Sequence, residues 1–225
     1  MKRFTLLACA GLITAAMATP SLAADLPRPA YKAPVYVAPF SWSGFYVGIN
    51  GGYAWGTTKM SNVIGNQSFD DNGGLAGVTL GYNLQTGNWV WGVEGDFDAS
   101  WLKGDVTAGP LCAGGVGCDM KQTWFSTVRG RIGYAFDRWL PYFTGGLALG
   151  DSKITSPAAL SQTDTRAGWT VGGGLEWAFI GAWSAKIEYL YADLGTKTCA
   201  AATCGVATDV GLTENVVRLG VNYRF

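Results

Sequence analysis

The stretch VVRLGVNYRF, residues 216 to 225, ends the chain on an aromatic. Val217, Leu219, Val221, Tyr223 and Phe225 take every second position, with Val216, Arg218, Gly220, Asn222 and Arg224 between them. A period of two marks a strand with two unlike faces. A half-buried strand of a water-soluble sandwich alternates in the same way, so the remainder of the chain has to decide between them.

Composition narrows the choice. Of the 225 residues 48% are hydrophobic and only 14% are charged, against roughly 25% charged in soluble domains. MKR followed by the short apolar run FTLLACAGLITAAMA (4–18) and the small-x-small site SLA reads as a secretory signal peptide, residues 1–23. Beyond it no apolar run is long enough for a membrane helix. A membrane protein built from strands satisfies both facts. Removal of Lys2 and Arg3 leaves 14 basic against 16 acidic side chains, net −2. That balance offers no basic field for nucleic acid.

The segment 24–41, ADLPRPAYKAPVYVAPFS, holds four of the eight prolines and reads as an extended periplasmic tether ahead of a barrel at 42–225. Within 42–225 the two-residue alternation recurs at about 44–56, 74–85, 89–101, 122–136, 139–150, 167–179, 183–193 and the closing stretch. The third run shows it plainly: Trp89, Trp91, Val93, Gly95, Phe97, Ala99 and Trp101 share one face. The fifth is apolar on both faces, and its phase stays open. Short turns (QTGN, DR, IGA) alternate with long gaps at 57–73, 102–121, 151–166 and 194–214. This predicts an all-β fold, an eight-stranded antiparallel up-and-down transmembrane β-barrel with both termini in the periplasm and four long extracellular loops. Trp42, Trp89, Trp91, Trp139, Trp177 and Trp183 fall near the short turns, and Trp55, Trp101, Trp124 and Trp169 near the gaps. Two interfacial girdles are expected.

The motifs SGFYVGINGGYAWG, GVEGDFDAS, TVRGRIGYAF, EYLYADLG and VVRLGVNYRF, with the start ADLPRPA, resemble the small immunogenic outer-membrane surface proteins of alphaproteobacteria, related to OmpA-type barrels. The resemblance spans the chain after the signal. It implies outer-membrane location and barrel architecture, and hardly any activity. The set Val217, Leu219, Val221, Tyr223 and Phe225 also resembles the C-terminal signal read by the outer-membrane assembly machinery.

Subtracting the outward positions leaves inward charges at Glu94, Asp96, Asp98, Arg129, Arg131, Glu176, Lys186, Glu188, Arg218 and Arg224, five acids and five bases. An eight-stranded barrel is just wide enough for side chains to fill, so paired charges would cross-link and occlude it. A charged ion path is the competing use. Cys112, Cys118, Cys199 and Cys204 fall in two gaps of an exported protein and are expected to form disulfides, local closure favouring Cys112–Cys118 and Cys199–Cys204. The stretch GNQSFDDNGG (65–74) lacks the regular spacing of a calcium loop and reads as a solvated turn.

The chain has no histidine and no G-x-S-x-G elbow, so neither enzyme chemistry nor a cofactor is expected. The expected role is structural and surface-presenting. Its partners are outer-membrane lipid, lipopolysaccharide and the assembly machinery. A narrow porin and a loop-borne adhesin or receptor for a host ligand are the rival readings.

Overall fold

A computed structural model describes residues 40–106, 118–155, 161–199, 201 and 206–225. The expected signal peptide and all but the last two residues of the proline-rich segment lie outside these. Eight strands follow in chain order: β1 Gly44–Asn62, β2 Gly65–Thr86, β3 Trp89–Val106, β4 Cys118–Tyr134, β5 Trp139–Thr155, β6 Ser161–Ile180, β7 Trp183–Cys199 and β8 Thr208–Arg224. Each pairs antiparallel with its neighbours in sequence. β1 also pairs with β8, Ile49 opposite Val221 and Gly52 opposite Arg218, and this closes the barrel.

Period-two alternation then sorts every side chain to one of two surroundings. Ile49, Val93 and Leu219 lie outside, at 62–67% exposure, while their neighbours Asn50, Glu94 and Arg218 are buried within. The open phase of β5 resolves with Phe143 and Leu147 outward and Leu140, Tyr142 and Ala148 inward. At the three tight turns the first turn residue has a positive φ: 61° at Gly87, 54° at Asp137 and 51° at Gly181. A left-handed first residue matches the twist of two-residue hairpins, and glycine or a short polar side chain tolerates it.

Two expectations need correction. The described residues of the long gaps are largely strand, because the strands continue well past the outer aromatic positions. β1 and β2 run to the hairpin Asn62–Gly65, so the stretch 65–74 belongs to β2 and is not a solvated turn. Alternation continues there with inverted polarity. Beyond Trp55 the outward residues Thr57, Lys59 and Ser61 are polar, while Thr58 and Met60 are buried. A search for an apolar outer face stops where the outer medium changes from lipid to water, although the strand does not.

The second correction concerns Trp42, which joins no girdle. It is 1% exposed and closes the turn rim of the lumen against Val90, Ala135, Leu140 and Ala178, with Phe40 beside it. Its amide donates to Gln85 Oε1 at 2.7 Å and its indole to the Asp137 carbonyl at 3.1 Å. The other tryptophans named for the turn side, from Trp89 to Trp183, are outward and exposed, as are Trp55, Trp101 and Trp169 on the far side.

Val93→Arg puts a charge at mid-band on the lipid face and is expected to cost ~2–4 kcal/mol. Val63→Arg, at the hairpin tip where the residue is 93% exposed, is expected to cost nothing measurable. Reversible urea unfolding in lipid vesicles checks both. Equal effects would place the membrane band wrongly.

Candidate functional site

The pattern E-x-D-x-D on β3 sends three carboxylates inward, and R-x-R on β4 sends two guanidiniums to meet them. Glu94 stands directly opposite Arg129 in the β3–β4 register, and Glu188 opposite Arg218 in β7–β8. Glu94 is the hub. Arg129 Nη2 bonds to its Oε1, Lys186 Nζ lies 3.0 Å away, Arg131 Nη1 lies 3.5 Å away, and the Tyr46 hydroxyl donates at 2.7 Å. Asp96 accepts from Arg129 and Arg218, both at 2.9 Å, and from Thr127 Oγ1 at 2.7 Å. Glu188 accepts from Arg129 at 2.9 Å, from Arg218 Nε at 2.7 Å and from the Tyr142 hydroxyl at 3.1 Å. Glu176 holds Arg131 at 2.8 Å and is capped by Ser184 and Asn222. Asp98 joins through Arg218, at 3.0 Å.

These bonds cross the lumen. Lys186 on β7 reaches Glu94 on β3, and Arg218 on β8 reaches Asp96 and Asp98, so opposite walls are tied together. The side chains of Arg129, Arg218 and Lys186 have 0% exposure. Arg131 also stacks over the Tyr142 ring, 3.9 Å from its centroid. Room for such large groups comes from facing glycines. A Cβ on Gly52 would fall 2.7 Å from Arg218 Cβ, and one on Gly81 only 2.2 Å from Tyr46 Cζ.

Nine of the ten charges named from the sequence therefore meet in one network. Arg224 does not. It stands at the turn rim with its guanidinium 4.4 Å over the Phe40 ring and 5.5 Å over Trp42, where a cation–π contact serves it better than a distant carboxylate. The sequence reading overlooked Tyr46 and Tyr142. Tyr46 was available by subtraction, since it lies between the outward Phe45 and Val47. Tyr142 was hidden by the ambiguous phase of β5.

The remaining named residues lie elsewhere. Val217, Leu219, Val221 and Tyr223 face outward along β8, and Phe225 packs edge-on to Tyr223 at 5.3 Å. Cys199 is disulfide-bonded. Cys112 and Cys204 fall outside the described residues, and Cys118 begins β4.

An interior crossed by charge pairs and walled by a closed sheet is the geometry of a small membrane barrel. A family model described as "Outer membrane protein beta-barrel domain" matches residues 5–225. The chain belongs to the outer-membrane β-barrel family. It is 38% identical to the "31 kDa outer-membrane immunogenic protein" of Brucella melitensis, over 95% of this chain and 97% of that one. The "25 kDa outer-membrane immunogenic protein" of Brucella abortus is 34% identical over 88% of this chain and 86% of its own. Among solved structures, Neisserial surface protein A aligns with a TM-score of 0.45 at 18% identity, covering 81% of this chain and 98% of that one. The protein is an outer-membrane barrel, and its location is the outer membrane.

Removing one member of this network strands its partners in a dry interior. Arg129→Ala deprives Glu94, Asp96 and Glu188 at once and is expected to destabilise the barrel by about 3–5 kcal/mol. Combining it with Glu188→Ala should cost less than the two single changes summed. Equilibrium unfolding of the three variants checks this. A loss below about 1 kcal/mol for Arg129→Ala would mean the charges are solvated.

Proposed function

We propose that this outer-membrane barrel is a structural and surface-presenting protein of the envelope, with a lumen that is filled rather than conducting. The observation that carries the reading is the layering of the interior, which β8 alone displays. From the turn rim outward its inward residues are Asn222, Gly220, Arg218, Val216, Glu214, Leu212 and Val210. At the turn rim Trp42 and its apolar neighbours form one layer. The ion network follows, and then Ala54, Leu75, Leu102, Leu190 and Val216. Farther out, Phe125, Leu194 and Leu212 pack together, and Met60 packs on Val210. A water path would have to pass through apolar packing at both ends of the charges.

In this reading the turn rim and the proline-rich tether face the periplasm, and the extended strands form arms above the outer leaflet. The apolar band, edged by tryptophans, meets outer-membrane lipid and lipopolysaccharide. The outward set of β8 ending at Phe225 is the segment offered to the assembly machinery. The "immunogenic" in the relatives' names supports surface presentation of the arms. No catalytic role is assigned, since no inward charge is left free to act as a nucleophile or base within the network.

Planar-bilayer recording of the purified barrel tests the reading, with near-zero steady conductance expected. Trp42→Ala should leave it near zero, because the ion network and the apolar layers beyond it stay in place. Steady parent current whose ion selectivity follows Arg131 or Glu94 neutralisation would replace this reading with a narrow porin.

A further inference from the structure

Farther out than the ion network lie two inward carboxyls that it does not reach. Asp71 on β2 and Glu214 on β8 both stand opposite Gly56 of β1, one on each side. Gly56 has no side chain to part them, and a Cβ there would lie 3.1 Å from Asp71 Oδ2. Asp71 is 4% exposed and Glu214 1%. Asp71 accepts a bond of 3.5 Å from Thr58 Oγ1, while Glu214 Oε1 has no hydrogen-bond partner. Gln122 of β4, buried, turns its amide toward Glu214 and is the neutral donor acting on that carboxyl.

Among the described residues no cation forms an ion pair with either carboxyl. Arg166 of β6 is the buried base of this section, and it donates to Ser152 Oγ at 2.9 Å and to the Val210 carbonyl at 2.8 Å. It makes no ion pair with Asp71 or Glu214; its charge acts on Glu214 from a distance, but more weakly than burial and the charge of Asp71 do, and Asp164 of its own strand draws on it more strongly. On β5, Asp151 is taken by the amides of Thr123 and Trp124, and on β7 Asp193 by that of Gly195. Lys59, Lys103, Lys121, Lys197, Asp70 and Asp209 are exposed on the outer face.

Two buried carboxylates that share a site with no cation bonded to either cannot both stay ionised, since burial and like charge raise the cost of the second. We propose that Asp71 and Glu214 form a proton-holding carboxyl pair, which keeps a proton at neutral pH where the barrel leaves the membrane. The position is outside the lipid-facing band, since the outward neighbours Asn72 and Asp70 on β2, and Asn215 and Thr213 on β8, are polar. Burial first, and then the charge of Asp71, pushes Glu214 up to about 8, and burial raises Asp71 to about 6. Asp71 on β2 and Glu214 on β8 flank Gly56 of β1, so the proton keeps one of two facing carboxyls neutral. Its loss sets two like charges against each other at the base of the arms.

The sign follows from proton linkage. The folded barrel binds more protons than the unfolded chain between the ordinary carboxylate range, about pH 4, and about pH 8. This stabilisation is therefore whole below about pH 4, lost progressively as pH rises to about 8, and absent above it. Glu214→Gln keeps the neutral shape and removes the titration. Its urea midpoint should match the parent at or below about pH 4 and exceed it at about pH 9. Asp71→Asn should move the parent's fall to lower pH, because Glu214 then titrates without a neighbouring charge. Infrared spectroscopy of the parent in heavy water reads the proton directly, whether or not the variants fold. A protonated-carboxyl band that disappears near pH 8 is expected, and it should be missing from Glu214→Gln. Parallel stability profiles for parent and Glu214→Gln, or a parent spectrum with no acid band lost in that range, would overturn the proposal.

Discussion

A strand in hydrocarbon has no water to satisfy its N–H and C=O groups, and each group left unpaired there costs several kcal/mol. Everything else in this molecule follows from meeting that condition with a sheet whose last strand pairs with its first. Closure creates an interior that must be filled, because eight strands leave space for side chains and little more. Alternation delivers half of each strand to that interior. The fold thus has two cores of opposite character. The bilayer covers the apolar outer one, and the inner one carries the buried charges.

The inner core resolves a conflict between solvation and cohesion. Charges taken out of water gain stability only where every partner is in place, and here each guanidinium of the network meets at least one carboxylate. Bonds from β3 to β7 and from β8 to β3 brace the wall against ovalisation in a way neighbouring strands alone cannot. Apolar layers on either side keep water from competing for those bonds. Trp42 extends this logic to the rim, where a residue ahead of the first strand serves as the last piece of the interior.

Much of this was legible in the sequence wherever lipid supplied contrast. Ile49, Val93 and Leu219 declared the outer face, and the inward charges followed by subtraction. Legibility failed where the contrast vanished. On β5, Leu140 and Tyr142 inside and Phe143 and Leu147 outside are all large and apolar, so period two carried no sign. In the arms Lys59 and Ser61 face water while Met60 faces the lumen, so the strand resembled a polar loop. Arg166 and Glu214 went unnoticed as inward charges for that reason. Arg224 failed differently, because alternation gives a face and says nothing of a competing aromatic at the rim.

The central claim is that the charges sit in a dry, packed interior, and guanidinium hydrogen exchange measures that dryness at the groups themselves. In the folded barrel in detergent, NMR exchange of the Nη protons of Arg218, which bond Asp96 and Asp98, should be slowed by orders of magnitude relative to those of the exposed Arg138. Exchange of Arg218 as fast as that of Arg138 would mean that water reaches the network, and would contradict a filled lumen.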